Sequence, residues 1–144
     1  MCGLTGSLEF EPATPAETLA RQVKAMADTL HHRGPDSDGQ WLDAKAGIAL
    51  GFRRLAIIDL SEHGAQPMAS HDGRYVIVYN GEVYNFPEMR AELTAQGHEF
   101  NGHSDTEVIL AAIVEWGLEA AVKRFVGMFA IALWDRRERT LALV

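Results

Sequence analysis

The sequence predicts an α+β fold with antiparallel sheets. Three observations carry the prediction. Short β-like runs are grouped together between residues 39 and 79. Segments with helical spacing stand apart from them and show no strand–helix–strand alternation. And Asp72-Gly73, immediately before an apolar run, is a hairpin signal, which joins antiparallel neighbours.

The elements follow in order. From Cys2 to Phe10, the residues Cys2, Leu4, Gly6, Leu8 and Phe10 share one face at period two, which predicts a strand. Thr14-Pro15-Ala16-Glu17 reads as a capping box with proline at the first helical position. Leu19, Val23, Met26, Ala27 and Leu30 then fall on one helical face. That helix closes on His31, His32 and Arg33, near the negative end of its dipole, before Gly34-Pro35. Four strand-like runs follow, at 39–42, 47–52, 55–58 and 74–79. A helix is expected from a cap at Asn85 to Gly97, burying Phe86, Met89 and Leu93. Ser104-Asp105-Thr106-Glu107 is a second capping box, opening a helix through Trp116. A shorter helix is expected over Leu118 to Val126, then a strand from Met128 to Trp134 and a polar turn at Asp135 to Arg139. The run Thr140 to Val144 stops inside strand-like text, so the chain is expected to be a fragment.

Composition narrows the function classes. A length of 144 residues suits one domain with a real core. The net charge is −7, and no Lys/Arg cluster stands ready to neutralise phosphates, which argues against a nucleic-acid partner. The longest apolar runs are too short to span a bilayer, and no signal peptide is evident. A single cysteine excludes an internal disulfide and fits a reducing compartment, so a cytoplasmic location is expected. No pair of the six histidines shows a metal-ligand spacing, and no metal is expected.

That single cysteine is Cys2, directly behind the initiator methionine. If Met1 is removed, one residue carries both a thiol, with a reference pKa of about 8.5, and an α-amine, with a reference pKa of about 7.7–8. A nucleophile and a serviceable base then share a residue. A structural role for a second-position cysteine is the alternative. Arg33-Gly34-Pro35-Asp36 reads as a helix exit, or as an Arg–Asp pair fixing a loop. Arg53 and Arg54 head an apolar run. Alternation lets only one of them face a given pocket, where it could hold a carboxylate; a solvent-facing strand end is the other reading. Asn80-Gly81 reads as a hairpin turn or as an oxyanion hole of side-chain amide and backbone N–H. Asp105 is a helix-cap neighbour, or an acceptor for an ammonium group.

Taken in order, MCGLTG, HHRGPDSDG, RRLAIIDL, GAQPM, YNGEVYNF, SDTEVIL and GMFAIALWD are spread from residue 1 to residue 135. In that sequence they resemble the glutaminase domain of class II, N-terminal-nucleophile glutamine amidotransferases, of the asparagine synthetase type. The resemblance implies an αββα sandwich of two antiparallel sheets between helices, here incomplete at its C-terminus. Residues 1–144 would be the glutaminase domain, with an ATP-dependent synthetase domain absent. It implies Cys2 as nucleophile and Asn80 and Gly81 as oxyanion hole. Arg54, rather than Arg53, would hold the glutamine α-carboxylate, in a site lined by Leu55, Ala56, Ile57 and Ile58. Glu82 and Asp105 would hold the α-amino end. The implied substrate is L-glutamine, hydrolysed to glutamate and ammonia, with no cofactor in this domain. ATP and Mg would serve only the synthetase domain, which would amidate an acid such as aspartate. A non-catalytic glutamine-binding or docking module is the rival reading.

Overall fold

The computed structural model describes residues 2–57, 59 and 61–144. Among the described residues, seven strands form two antiparallel sheets. The first sheet is built from β1 (Gly3–Leu8), β2 (Ser37–Asp43) and β3 (Ile48–Arg54) in the order β1-β3-β2. The second contains β4 (Met68–Ala69), β5 (Tyr75–Val83), β6 (Gly127–Asp135) and β7 (Thr140–Leu143) in chain order. Helix α1 (Ala16–Asp28) covers the first sheet. Helix α3 (Asp105–Trp116) lies on the second, flanked by α2 (Phe86–Ala95) and α4 (Leu118–Val122).

Period-two alternation sorts the side chains into three apolar layers. On β3, Ile48, Leu50 and Phe52 point between the sheets, where they meet Val76 and Val78 of β5 and Ala132 and Trp134 of β6. Ala49, on the other face of β3, packs under Leu19 and Val23 of α1. Ile77, Tyr79 and Val83 of β5 face the opposite way, into a core with Met89, Leu93, Ile109 and Ile113. The layer order is therefore helix, sheet, sheet, helices. This is the predicted α+β sandwich.

Several local expectations changed. Thr14 does not cap α1; its hydroxyl turns to Glu9, which also accepts the backbone N–H groups of Ala13 and Thr14 at 3.2 Å each, and Pro15 stands at the cap position. Asn85 precedes α2, but its side chain bonds to Arg124 O and Val126 N–H, at 2.9 Å each, and not to its own helix. Ser104 does cap α3, accepting from Glu107 N–H at 3.4 Å. Leu55 to Ile57 are not a strand. The ladders of β3 end at Arg53 opposite Gly3 and at Arg54 opposite Ser37, so the next residues have no strand to pair with. Ile58, the last residue of that expected run, lies outside the described residues. Nor is Asn80-Gly81 a turn. Both are ladder residues, Asn80 opposite Ala130 and Gly81 opposite Phe129, and β5 continues to Val83. The Asp72-Gly73 hairpin is present between β4 and β5. Gly73 N–H closes it onto Ser70 O at 2.8 Å, and Gly73 takes the positive φ of 70° that the turn requires.

Candidate active site

The alternation that builds the core also aims the site. On β3, Arg54 has the same parity as Phe52 and faces the space between the sheets. Arg53 has the parity of Ala49 and faces α1. Arg53 accordingly pairs with Asp38 at 3.3 Å and Asp28 at 3.9 Å, and touches His31. On β5, Asn80 and Glu82 continue the face of Val76 and Val78. At this end of the sandwich the interlayer opens into a cavity of about 210 Å³. Cys2, Arg54, Leu55, Ala56, Ile57, Asn80, Gly81, Glu82 and Asp105 all line it. Of the residues predicted for the site, Ile58 alone lies outside the described residues.

Cys2 stands just ahead of β1, half-buried against the interlayer core. Its sulfur is held by one residue's backbone. Leu55 N–H donates to Sγ at 3.3 Å, and the thiol is 3.6 Å from Leu55 O. The Cys2 carbonyl accepts from Arg33 Nε at 3.0 Å. Asp36 completes the support, its Oδ2 accepting Ala56 N–H at 2.8 Å while its own N–H bonds Arg54 O at 3.0 Å. Arg33 and Asp36 thus fix the loop at 33–36 against Cys2 and the cavity wall. Gly34 lies so close to β3 that a Cβ there would sit 2.6 Å from Arg54 N.

The Arg54 guanidinium is braced by backbone oxygens, Ser61 O at 2.8 Å and Asp59 O. It has room because residue 64 is glycine. A Cβ at Gly64 would lie inside contact with Nη2 and 3.1 Å from Cζ. Asp59 secures this segment. Its Oδ1 accepts Ser61 N–H at 2.8 Å and Ser61 Oγ–H at 2.6 Å, and its Oδ2 accepts His103 N–H at 2.8 Å. Those donors, the His103 N–H foremost, hold its carboxyl down at about 2.

Opposite, Asp105 is buried at the first turn of α3. Its Oδ2 accepts the Tyr79 hydroxyl at 2.6 Å and Val83 N–H at 3.2 Å. Burial pushes the Asp105 carboxyl above its ordinary value, against the lowering by those two donors. Burial also drives the Tyr79 phenol far up, with the Asp105 charge adding to it, so Tyr79 stays protonated as a donor. Gln66 ties the two sides together. Its Oε1 accepts Tyr79 N–H at 2.6 Å and its Nε2 donates to Thr106 Oγ1 at 3.3 Å. Asn80 Oδ1 is buried with no hydrogen-bond partner among the described residues, so the fold does not occupy that end of the amide. Gly81 has φ 154°, and a Cβ there would fall 2.5 Å from Phe129 Cα, so only glycine fits.

Gly64, Gln66, Tyr79 and Asp59 were not singled out as site residues by the sequence. All four fall inside the quoted motifs, which was the available signal. Among the described residues, no group of three His, Cys, Asp or Glu side chains could hold a metal ion, and no helix is long and apolar enough to cross a membrane.

Two antiparallel sheets stacked between helices, with a cysteine at the head of the first strand, define an N-terminal-nucleophile hydrolase fold. A solved structure bears this out at the level of fold. Glutamine phosphoribosylpyrophosphate amidotransferase from B. subtilis, complexed with ADP and GMP, superposes with a TM-score of 0.54 at 23% identity, over 67% of this chain and 23% of that one. The family model described as a glutamine amidotransferase domain matches residues 1–144, and the chain belongs to that family. It is 44% identical over 141 residues to asparagine synthetase [glutamine-hydrolyzing] 1 of Bacillus subtilis (strain 168), covering 98% of this chain and 22% of that protein. It is 42% identical over 152 residues to a putative asparagine synthetase [glutamine-hydrolyzing] of Mycobacterium tuberculosis (strain ATCC 25618 / H37Rv), covering 98% and 23%. The chain thus spans about a fifth of the length of these curated relatives.

Proposed function

We propose that this chain is the glutaminase half of an asparagine-synthetase-like amidotransferase, hydrolysing L-glutamine to glutamate and ammonia. One observation carries the reading: the Cys2 thiol shares a single small cavity with the Arg54 guanidinium, the buried Asp105 carboxylate and the Asn80–Gly81 pair. Arg54 takes the α-carboxylate of glutamine, and Asp105 with Glu82 takes the α-ammonium. The side-chain carboxamide is thereby brought to Sγ. Once Met1 is removed, the Cys2 α-amine accepts the thiol proton and the thiolate attacks the amide carbon. Asn80 Nδ2 and Gly81 N–H stabilise the tetrahedral oxyanion; one such donor is typically worth about 10²–10³ in rate. The C–N bond breaks as nitrogen takes up the proton held by the α-amine, and ammonia leaves. Water then cleaves the thioester to give glutamate and the free thiol.

Leu55 N–H, donating to Sγ at 3.3 Å, holds the sulfur at the mouth of the cavity. No step calls for a metal or cofactor in this half. The relatives' printed names support transfer of the nitrogen to an acid such as aspartate; an ATP- and Mg-dependent synthetase domain outside these residues would carry out that step.

Intact mass spectrometry with a glutamine-shaped electrophile tests the reading. The expected result is loss of Met1 and one adduct on Cys2, with no adduct and no ammonia release in Cys2→Ala. Retained turnover in Cys2→Ala, or a Cys2 that keeps Met1 yet remains active, would overturn it.

A further inference from the structure

Asp105 raises a question that its own position does not answer. A carboxylate at the end of a rotatable side chain can present either oxygen to the cavity, or swing out of it. Here the choice is made by a neighbour. Both hydrogen bonds to Asp105 from outside its helix fall on the same oxygen, Oδ2: the Tyr79 hydroxyl at 2.6 Å and Val83 N–H at 3.2 Å. Tyr79 in turn has little freedom. Its ring is buried in the helix-side core, and its backbone N–H is fixed to Gln66 at 2.6 Å. The neighbouring residue Asn80 faces the other side of the same strand and opens on the cavity. Tyr79 therefore joins the strand that carries Asn80 and Gly81 to the helix that carries Asp105.

We propose that Tyr79 is a positioning residue for substrate recognition: its hydroxyl fixes the Asp105 carboxylate so that Oδ2 is held by the protein and Oδ1 is presented to the substrate's α-ammonium. The inference rests on the glutamine-site reading above. It assigns no contact between Tyr79 and the reacting atoms. It also gives a reason for a phenol at this position, because phenylalanine would fill the same apolar space and leave Asp105 unoriented. The titratable and charged groups around Asp105 are Tyr79 and Glu82 of β5, Glu107 on its own helix, and Arg54 and Asp59 across the cavity. Among them Tyr79 is the one that hydrogen-bonds the carboxylate directly. Removing its hydroxyl removes an interaction that favours the charged form, so Asp105 protonates at higher pH.

The test uses two electrophiles on Cys2, the only cysteine of the chain. One is a chloroketone carrying the α-amino-acid head of glutamine; the other is iodoacetamide, which lacks it. In Tyr79→Phe the ratio of chloroketone to iodoacetamide rate should fall about tenfold, the usual scale for one charge-assisted hydrogen bond. The acid-side midpoint of chloroketone labelling should move to higher pH, while the iodoacetamide rate is unchanged. Adding Tyr79→Phe to Asp105→Asn should lower the ratio no further. Replacing Tyr79 by 3-fluorotyrosine keeps the ring and makes the hydroxyl a stronger donor. It should move the midpoint to lower pH, which keeps the test open if the phenylalanine variant is unstable. An unchanged ratio, or an equal loss with both reagents, would overturn the proposal and leave the glutamine site standing. If the unsubstituted protein itself shows no preference for the chloroketone, the glutamine-site reading falls and this inference falls with it.

Discussion

Gly64→Ala isolates the carboxylate side of the proposed site without touching Cys2, Asn80 or Gly81. The added methyl would lie inside contact with Arg54 Nη2 and 3.1 Å from Cζ, with Asp59 Cβ at 3.4 Å. Unstrained separations are about 3.5–4.0 Å, so the guanidinium must retreat by roughly 1 Å. A charge-assisted N–H···O bond formed at about 2.8 Å does not survive that displacement. Losing one costs about 1.5–3 kcal/mol, which corresponds to a rise of about 10- to 150-fold in KM for glutamine. The obstructed group is the tip of a long side chain that can turn towards solvent, so the melting temperature should change little. Cys2, Asn80 and Gly81, the proposed catalytic groups, are untouched, so kcat should stay within about threefold. Steady-state ammonia release across a wide glutamine range separates the two constants. An unchanged KM would refute the assignment of Arg54 to the α-carboxylate. A fall in kcat matching the rise in KM would show that the methyl deforms the catalytic groups, and the clamp reasoning would fail.

Three further outcomes follow from the same geometry. Arg54→Ala should raise KM for glutamine at least as much as Gly64→Ala. Arg53→Ala should leave KM unchanged and lower stability by no more than about 1 kcal/mol, because its ion pairs with Asp28 and Asp38 involve half-exposed carboxylates; equal kinetic effects would mean that the faces of β3 are misassigned. Asp59, held at about 2 against an unfolded value near 3.8, contributes stability above about pH 4 that is lost as pH falls through about 2. In Asp59→Asn the melting temperature should therefore depend less steeply on pH across that window, and an unchanged slope would remove Asp59 from the acid response.

How far the sequence reached can be judged residue by residue. Alternation in 48–54 establishes only that Arg53 and Arg54 face opposite sides; choosing Arg54 took the family resemblance, and in the fold each face of β3 is pinned by a buried layer, so that a one-residue slip would bury both charges wrongly. The Ser104 cap was legible because its donor lies three residues away. Thr14 and Asn85 carried the same local signal, yet their side chains found partners elsewhere, Glu9 in one case and the segment at 124–126 in the other. The run from Leu55 to Ile57 has strand composition and no strand partner; propensity does not report whether a neighbour exists. Asn80-Gly81 has turn composition, but its ladder to β6 crosses some fifty intervening residues. Gly64, Gln66 and Tyr79 were illegible as site residues because what each does depends on an atom far along the chain: the Arg54 guanidinium, the hydroxyl of Thr106 and the carboxylate of Asp105.

Asp59 has a consequence for which molecules the cavity would accept. Its carbonyl holds the Arg54 guanidinium, while its carboxylate holds the backbone just ahead of Ser104 and Asp105. One residue therefore sets the span between the cationic and anionic sides of the pocket. An α-amino acid carries its two charges on a single carbon, and in the proposed site a span fixed in this way would act as a gauge for that spacing. A β-amino acid inserts one more carbon between the charges and would be out of measure. A glutamine within a peptide has exchanged both charges for amides and would have nothing to set against either jaw.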